Sequence, residues 1–231
     1  MPRTLLFTSM VLTFAAACGS PEKDTTRSAP FVSPQVRAKM AERRLADARP
    51  DSFTTAADQG RVLGLPTAPV WVVIVSDFQC VDCKRWYDEV FPHLVKEYEA
   101  TGRIRLAYVN MPRENRLNGM ATALAATCAA ASGRFWETAE RIFATQDIWR
   151  SLPDARPYLD SLASAAGVNT PAQQLCTERA RGMKLVQADM ERATTAGVDS
   201  LPTFFIGTHK VVGNAPLATF RSVIESALAG R

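Results

Sequence analysis

The stretch SDFQCVDCKRW, residues 76–86, constrains this chain more than any other. It follows the apolar run WVVIV (71–75) and opens a helical pattern in which Trp86, Val90, Leu94 and Tyr98 recur every four residues until Gly102. VWVVIV (70–75) is apolar on both faces, which predicts a central strand covered on both sides. RIRLAYVN (103–110) alternates and reads as the next strand. Strand, helix, strand within about forty residues is a βαβ unit with parallel strands and a right-handed crossover. Pro92 lies inside the helix and predicts a kink there.

Cys80 and Cys83 therefore stand at the junction of a strand and a helix. A cysteine at a helix start faces unpaired backbone N–H groups and the positive end of the helix dipole, and both stabilise a thiolate. Cys83 lies one turn further on the same face, roughly 5–6 Å away, within the range that a disulfide accepts. Such a bond closes and reopens with little movement. Cys80 then attacks or is attacked, and Cys83 resolves the mixed disulfide. A permanent staple over so few residues would remove little chain entropy. A zinc site needs four ligands, and there is no second C-x-x-C; Cys128, Cys176, His93 and His209 lack ligand spacing. No metal is expected, and both histidines read as surface residues.

Downstream the pattern turns helical throughout 117–197. MATALAATCAA carries Met120, Leu124 and Cys128 on one face, and FWETAERIF reads as core of this block. In TPAQQLCTERA, Thr170, Pro171 and Gln173 read as cap, first-turn proline and capping-box partner. Gly197 suits a helix C-terminus. LPTFFIG, HKVVG and LATFRSVIESALAG then read as strand, strand, helix, with a hairpin at the short GTH turn. RVLGL upstream reads as a short strand. The order is βαβ, a helical block, then ββα.

SDFQCVDCKRWYDEVFPHLVKEYEATGRIRLAYVNMP, with Pro92, the helical block and GVDSLPTFFIG, resembles the DsbA-like thiol-disulfide oxidoreductases of the thioredoxin superfamily. The resemblance runs from about Gly60 to the C-terminus. It implies an α/β thioredoxin-like fold with a helical insertion, about 114–197, between the βαβ and ββα halves. It also implies a redox pair of Cys80 and Cys83, no organic cofactor, and a cis peptide bond before Pro202. From residues alone a trans proline starting a strand is an equal alternative. A cis Leu201–Pro202 bond would leave the Leu201 backbone able to pair with an extended substrate strand. Phe78, beside Cys80, is expected to line a substrate groove. Relatives carry a disulfide in the insertion, which implies a Cys128–Cys176 bond; closing some fifty residues contributes about 4 kcal/mol as an upper figure.

The chain also departs from the family. Val81 stands where a proline is frequent. Asp82 stands where oxidising members often carry His or an aromatic residue. A carboxylate about 6 Å from a thiolate, at an effective dielectric near 40, costs about 1.4 kcal/mol, or one pKa unit upward. Lys84 and Arg85 oppose it, and Asp82 equally suits the first turn of a helix. Ile74 occupies a position where some members keep a buried acid. Asp77 is the nearest carboxylate before the motif, as a tuning group or as a helix cap.

MPRTLLFTSMVLTFAAAC (1–18) has a basic start, a short apolar stretch and small residues, the pattern of an export signal. Ala15-Ala16-Ala17 fits an ordinary cut; the same residues with Cys18 resemble a lipoprotein box, with Cys18 the lipid-attachment residue and the membrane anchor. Five cysteines is an odd number for an exported chain. Lipidation of Cys18, with Cys80/Cys83 and Cys128/Cys176 paired, accounts for all five. Residues 19–34, GSPEKDTTRSAPFVSP, read as a flexible tether. SPQVRAKMAERRLADAR (33–49) reads as a short helix with a thin apolar stripe. The expected organisation is signal 1–18, tether 19–34, helical extension 35–58 and thioredoxin-like domain 59–231. The net charge of +4 is interleaved, with no basic stripe, so nucleic acid is not an expected partner. The expected partners are proteins bearing thiols or disulfides, and a membrane protein or small thiol that recharges the pair, all outside the cytoplasm.

Overall fold

A computed structural model describes residues 51–230. The signal expected over 1–18 with Cys18, the tether expected over 19–34 and the helix expected over 33–49 lie outside the described residues.

Five strands form one sheet: β1 (Val62–Leu63), β2 (Val70–Ser76), β3 (Ile104–Asn110), β4 (Thr203–Ile206) and β5 (His209–Val212), in the order β1-β3-β2-β4-β5. β2 and β3 are parallel, as a crossover through a helix requires, and the remaining pairs are antiparallel. Ile74 of β2 lies between Tyr108 of β3 and Phe204 of β4. This is an α/β thioredoxin-like fold with helices inserted between its βαβ and ββα halves.

The crossover begins with α2 (Val81–Glu89), which follows α1 (Ser52–Gly60) in the chain. It breaks at Val90, restarts as α3 (Phe91–Leu94) with Pro92 in its first turn, and ends in a π-helical turn at Val95–Glu99. Proline supplies no N–H, so it is tolerated where a new helix begins. Trp86 and Tyr87 are both buried. Trp86 lies 4.5 Å from Phe204 and 5.9 Å from Phe220 of α10 (Leu217–Ala229), so α2 and α10 share one face of the sheet. Tyr87 stacks on Phe91 at 4.5 Å and Phe143 at 4.7 Å.

The insertion comprises α4 (Gly119–Ala130), α5 (Phe135–Ala144), α6 (Gln146–Trp149), α7 (Arg156–Ala165), α8 (Thr170–Glu178) and α9 (Met183–Thr195). α4 is buried on nearly every side because its alanines let neighbours approach closely; Met120 at its start is exposed, although Leu124 and Cys128 on the expected face are buried. Cys128 of α4 and Cys176 of α8 are joined by a disulfide with Cα atoms 5.9 Å apart.

Several local expectations are corrected. Asn169, not Thr170, caps α8, its side chain accepting from the Ala172 N–H at 3.0 Å. Gln173 is buried and donates to the Ala125 carbonyl at 3.1 Å, so it closes no capping box. β2 is covered on both faces only at its Ile74–Ser76 end; Trp71 and Val73 remain half exposed. The boundary expected at 58/59 falls inside α1, which packs on α4: a Cβ added at Gly60 would collide with the Ala130 carbonyl.

α1, β1, β3 and α9 meet at a buried charge. Arg61 reaches the carboxylate of Asp189, which also accepts from the Asn110 backbone N–H at 3.0 Å and side-chain Nδ2 at 3.2 Å. Arg61 pairs with Asp58 as well, and Arg192 with Asp189 at 3.2 Å. Nothing in the local pattern of the sequence announces this cluster.

Candidate active site

β2 ends at Ser76, and the chain turns through Asp77–Gln79. The Asp77 side chain accepts from the Gln79 N–H at 2.8 Å, and its carbonyl accepts from the Cys80 N–H at 2.9 Å. Side-chain turns of this kind let an aspartate close a loop without a regular ladder. Cys80 is itself the N-cap residue of α2, with φ −82° and ψ 124°, and its sulfur accepts from the Cys83 N–H at 3.3 Å. The expectation that Asp77 caps this helix is thereby corrected.

Both sulfurs are free thiols, Cys80 5% exposed and Cys83 fully buried. The Cys80 thiol is lowered to about 7. The hydrogen bond from Cys83 is the chief cause; burial opposes it, the Cys83 N–H and Arg116 assist, and the charge of Asp77 raises it. Cys83 is pushed well above its ordinary value, first by burial and then by its bond and charge interaction with Cys80. The Asp77 backbone and the Ser76 hydroxyl partly offset that rise. Two thiols driven apart in this way divide the labour between a nucleophile and a held proton.

The Leu201–Pro202 bond is cis, and the Leu201 carbonyl lies 3.9 Å from the Cys80 sulfur. Pro202 is buried and its carbonyl accepts from the Gly213 N–H at 2.8 Å, while β4 starts only at Thr203. Leu201, half buried, thus faces Cys80 from just before the sheet ladder.

Phe78 does not line a groove. It is 1% exposed, stacked on Tyr108 at 4.9 Å and tilted against Phe143 at 4.9 Å, because the turn after β2 points it into the core. Asp82 does not reach the sulfurs either: its side chain is 56% exposed and pairs with Arg85 at 3.3 Å. The carboxylate that acts on Cys80 is Asp77, buried and raised above its ordinary value chiefly by that burial. Ile74 is buried between Tyr108 and Phe204, so the polar neighbours of Cys83 come from Ser76 and Asp77 instead. His93 and His209 are exposed.

Sequence reasoning missed the residues that hold this loop from outside. Gln146 of α6 is buried and donates to the Phe78 carbonyl at 2.6 Å and the Cys80 carbonyl at 3.0 Å. The Gln79 side chain donates to the Arg150 carbonyl at 3.1 Å and accepts from the Asn118 N–H at 2.9 Å. Arg116 donates to the Gln79 carbonyl and pairs with Asp77 at 3.3 Å. These partners lie 37 to 71 residues away, and no short motif marks them. Among the described residues, no three His, Cys, Asp or Glu side chains converge as a metal site.

This arrangement sets a C-x-x-C pair of free thiols at a helix start, opposed by a cis-proline loop. A family model described as thioredoxin matches residues 56–226, and the chain belongs to that family. It is 23% identical over 176 residues to disulfide bond formation protein D of Bacillus subtilis, across 74% of this chain and 78% of that protein. Its fold is similar to the crystal structure of oxidised BdbD from B. subtilis, with TM-score 0.69 and 22% identity over 74% of this chain and 95% of that one. Wolbachia pipientis α-DsbA1 is likewise similar, with TM-score 0.66 and 22% identity over 74% and 91% of the two chains. The chain is a thiol-disulfide oxidoreductase of DsbA-like type.

Proposed function

We propose that this oxidoreductase exchanges disulfides with protein substrates outside the cytoplasm, with Cys80 as the attacking or attacked sulfur and Cys83 as the resolver. The observation that carries the reading is the Cys80 sulfur itself, capping α2 and facing the Leu201 carbonyl at 3.9 Å. A substrate strand laid beside Leu201 and Pro202 brings its own sulfur to Cys80. Val81, Leu117 and Ile148 are exposed on the three segments that meet around Gln79, and they offer apolar contact without reading sequence. In the oxidising direction a substrate thiolate attacks Cys80, the Cys80–Cys83 bond breaks, and Cys83 leaves and takes up a proton. A second substrate thiolate then displaces Cys80, leaving the substrate oxidised and the pair reduced by two electrons.

The test is a Cys83→Ser variant in cells. It is expected to trap mixed disulfides that vanish on adding Cys80→Ser; a chain that only binds peptides traps none. A second reading, a disulfide reductase or isomerase rather than an oxidant, is favoured by the Cys80 thiol at about 7. Thiols of C-x-x-C pairs run from about 7 in thioredoxin to about 3.5 in DsbA. A reduction potential near about −270 mV selects the reductant and one near about −120 mV the oxidant.

The export pattern of residues 1–18 supports an extracytoplasmic site, a compartment in which a disulfide such as Cys128–Cys176 persists. Among the described residues, no helix is long and apolar enough to cross a membrane. Anchoring is assigned to a lipid on Cys18, and recharging to a membrane protein or a small thiol couple. Cys18→Ser is expected to move the protein from the membrane fraction to the soluble one.

A further inference from the structure

The loop after β3 carries two arginines toward the redox pair, and it is fixed at both ends. Met111 N–H continues the strand by donating to the Ser76 carbonyl at 2.8 Å. Asn118 closes the loop, its Nδ2 donating to the Trp149 carbonyl at 3.1 Å and the Leu152 carbonyl at 2.9 Å. Between them a turn, with the Arg116 N–H bonded to the Arg113 carbonyl at 3.0 Å, directs Arg116 at the active-site loop. Its Nη1 donates to the carbonyl of Gln79, the residue before Cys80, and its Nε lies 3.3 Å from the Asp77 carboxylate. The guanidinium thus bridges the two residues that frame the turn into Cys80.

The other charges around Cys80 are engaged elsewhere. On α2, Asp82 pairs with Arg85 at 3.3 Å and Lys84 with Asp88 at 2.6 Å. On α6, Asp147 pairs with Arg150 at 3.7 Å. Arg113 donates to the Asp199 carbonyl at 2.6 Å, beside the cis-proline loop, and Glu114 and Asp199 are exposed. Cys83 and Tyr108 are the remaining titratable groups: Cys83 donates to Cys80 rather than carrying charge, and burial pushes the Tyr108 phenol up, so it stays protonated.

We propose that Arg116 is a positioning residue that fixes a positive charge beside the Cys80 sulfur, with its partner Asp77 as the opposing charge, and that this linked pair sets the redox poise of the Cys80–Cys83 disulfide. The inference rests on Cys80 being the exchanging sulfur. When a substrate thiolate displaces Cys80 from the mixed disulfide, the bond's electrons pass to Cys80 as a thiolate, and the charge forms one residue beyond the Gln79 carbonyl that Arg116 holds. Stabilising that thiolate favours the reduced pair and makes the disulfide more oxidising; Asp77 acts in the opposite sense. Consistent with this, Arg116 lowers the Cys80 thiol and Asp77 raises it. Because Asp77 also pairs with Arg116, exchanging either one alone tips the balance in a known direction.

The experiment titrates the Cys80 thiolate of the reduced protein by its ultraviolet absorbance and by iodoacetamide rate against pH. It uses the wild type, Arg116→Gln, Arg116→Lys and Asp77→Asn. Arg116→Gln is expected to raise the midpoint by about one unit, Asp77→Asn to lower it by a similar amount, and Arg116→Lys to stay nearer the wild type. In equilibrium with glutathione, Arg116→Gln and the wild type are expected to match near pH 6, where both thiols are protonated. They diverge as pH rises, toward a tenfold shift to the disulfide, equivalent to about 30 mV. A merely structural role for Arg116 predicts neither opposite signs at two touching residues nor a pH-dependent gap. A low wild-type midpoint that neither substitution moves, or that both move the same way, overturns this proposal alone. A wild-type Cys80 that titrates as an ordinary thiol overturns the assignment of Cys80 and this proposal with it.

Discussion

Asp77 and Asp189 are both withdrawn from solvent, and each faces an arginine, but the two sites differ in how completely the charge is enclosed. At Asp189 the main arginine is buried as well: the Arg61 side chain is 5% exposed and that of Asp189 is 0% exposed, the Asn110 backbone and side chain share the same oxygen, and the exposed Arg192 takes the other at 3.2 Å. Its partners belong to α1, β3 and α9, so the charges hold these elements together, and no thiol is among the groups bonded to it. At Asp77 the arginine stays at the rim, with the Arg116 side chain 31% exposed, and a titratable sulfur lies beside the pair. The same two residue types serve as a lock where the cage is closed and as a tuner where it opens onto a thiol. Burial of a charge is therefore informative only together with what else lies within its reach.

The largest effect expected from this contrast is at the closed site. Asp189→Ala leaves Arg61 buried without its main partner and is expected to cost about 3–5 kcal/mol in urea unfolding, while the Cys80 titration midpoint stays in place. A shift of that midpoint would break the distinction between lock and tuner. Removing the insertion disulfide by Cys128→Ala with Cys176→Ala is expected to cost about 2–4 kcal/mol, again without moving Cys80. The pH dependence of the reduced protein sharpens the comparison further. Cys80 is depressed from 9.0 to about 7. An acid depressed in the fold contributes stability that is complete above its unfolded value and lost as pH falls through the folded one. The reduced form is expected to gain stability from about pH 7 to 9, on the order of 1–2 kcal/mol, and the oxidised form to show no such gain. Arg116→Gln is expected to change stability by less than about 1 kcal/mol, since its pair is partly solvated, while moving the Cys80 titration. Asp82→Asn should leave stability and the Cys80 midpoint unchanged within about 0.3 unit, because its charge is exposed and screened.

Much of the site was legible before the structure. Cys80 and Cys83 announce themselves by a spacing of three at a strand–helix junction, a local pattern that survives in a linear reading. The cis bond before Pro202 does not: the residues alone leave a trans proline an equal alternative, and only the family resemblance selects cis. Phe78 shows the limit: nearness to Cys80 in the chain predicts a place in a substrate groove, but the Asp77 side-chain turn rotates it into the stack with Tyr108 and Phe143. Asp82 shows another. Adjacency to both cysteines suggested influence, whereas helix geometry sends its carboxylate out to Arg85. At α8 the cap was misplaced by one residue because Asn169 and Thr170 are both competent acceptors, and only the backbone angle at Asn169 selects between them.

By itself the sequence determined the order of strands and helices and the pair of sulfurs at a helix start. Each follows from side-chain periodicity or from backbone constraints that act within a few residues. Tertiary structure alone decided which charges surround those sulfurs. Arg116, Gln146 and the Arg61–Asp189 cluster act across separations of 37, 66 and 128 residues. Electrostatic and hydrogen-bond energies depend on distance in space and on exclusion of water, and neither is written along the chain.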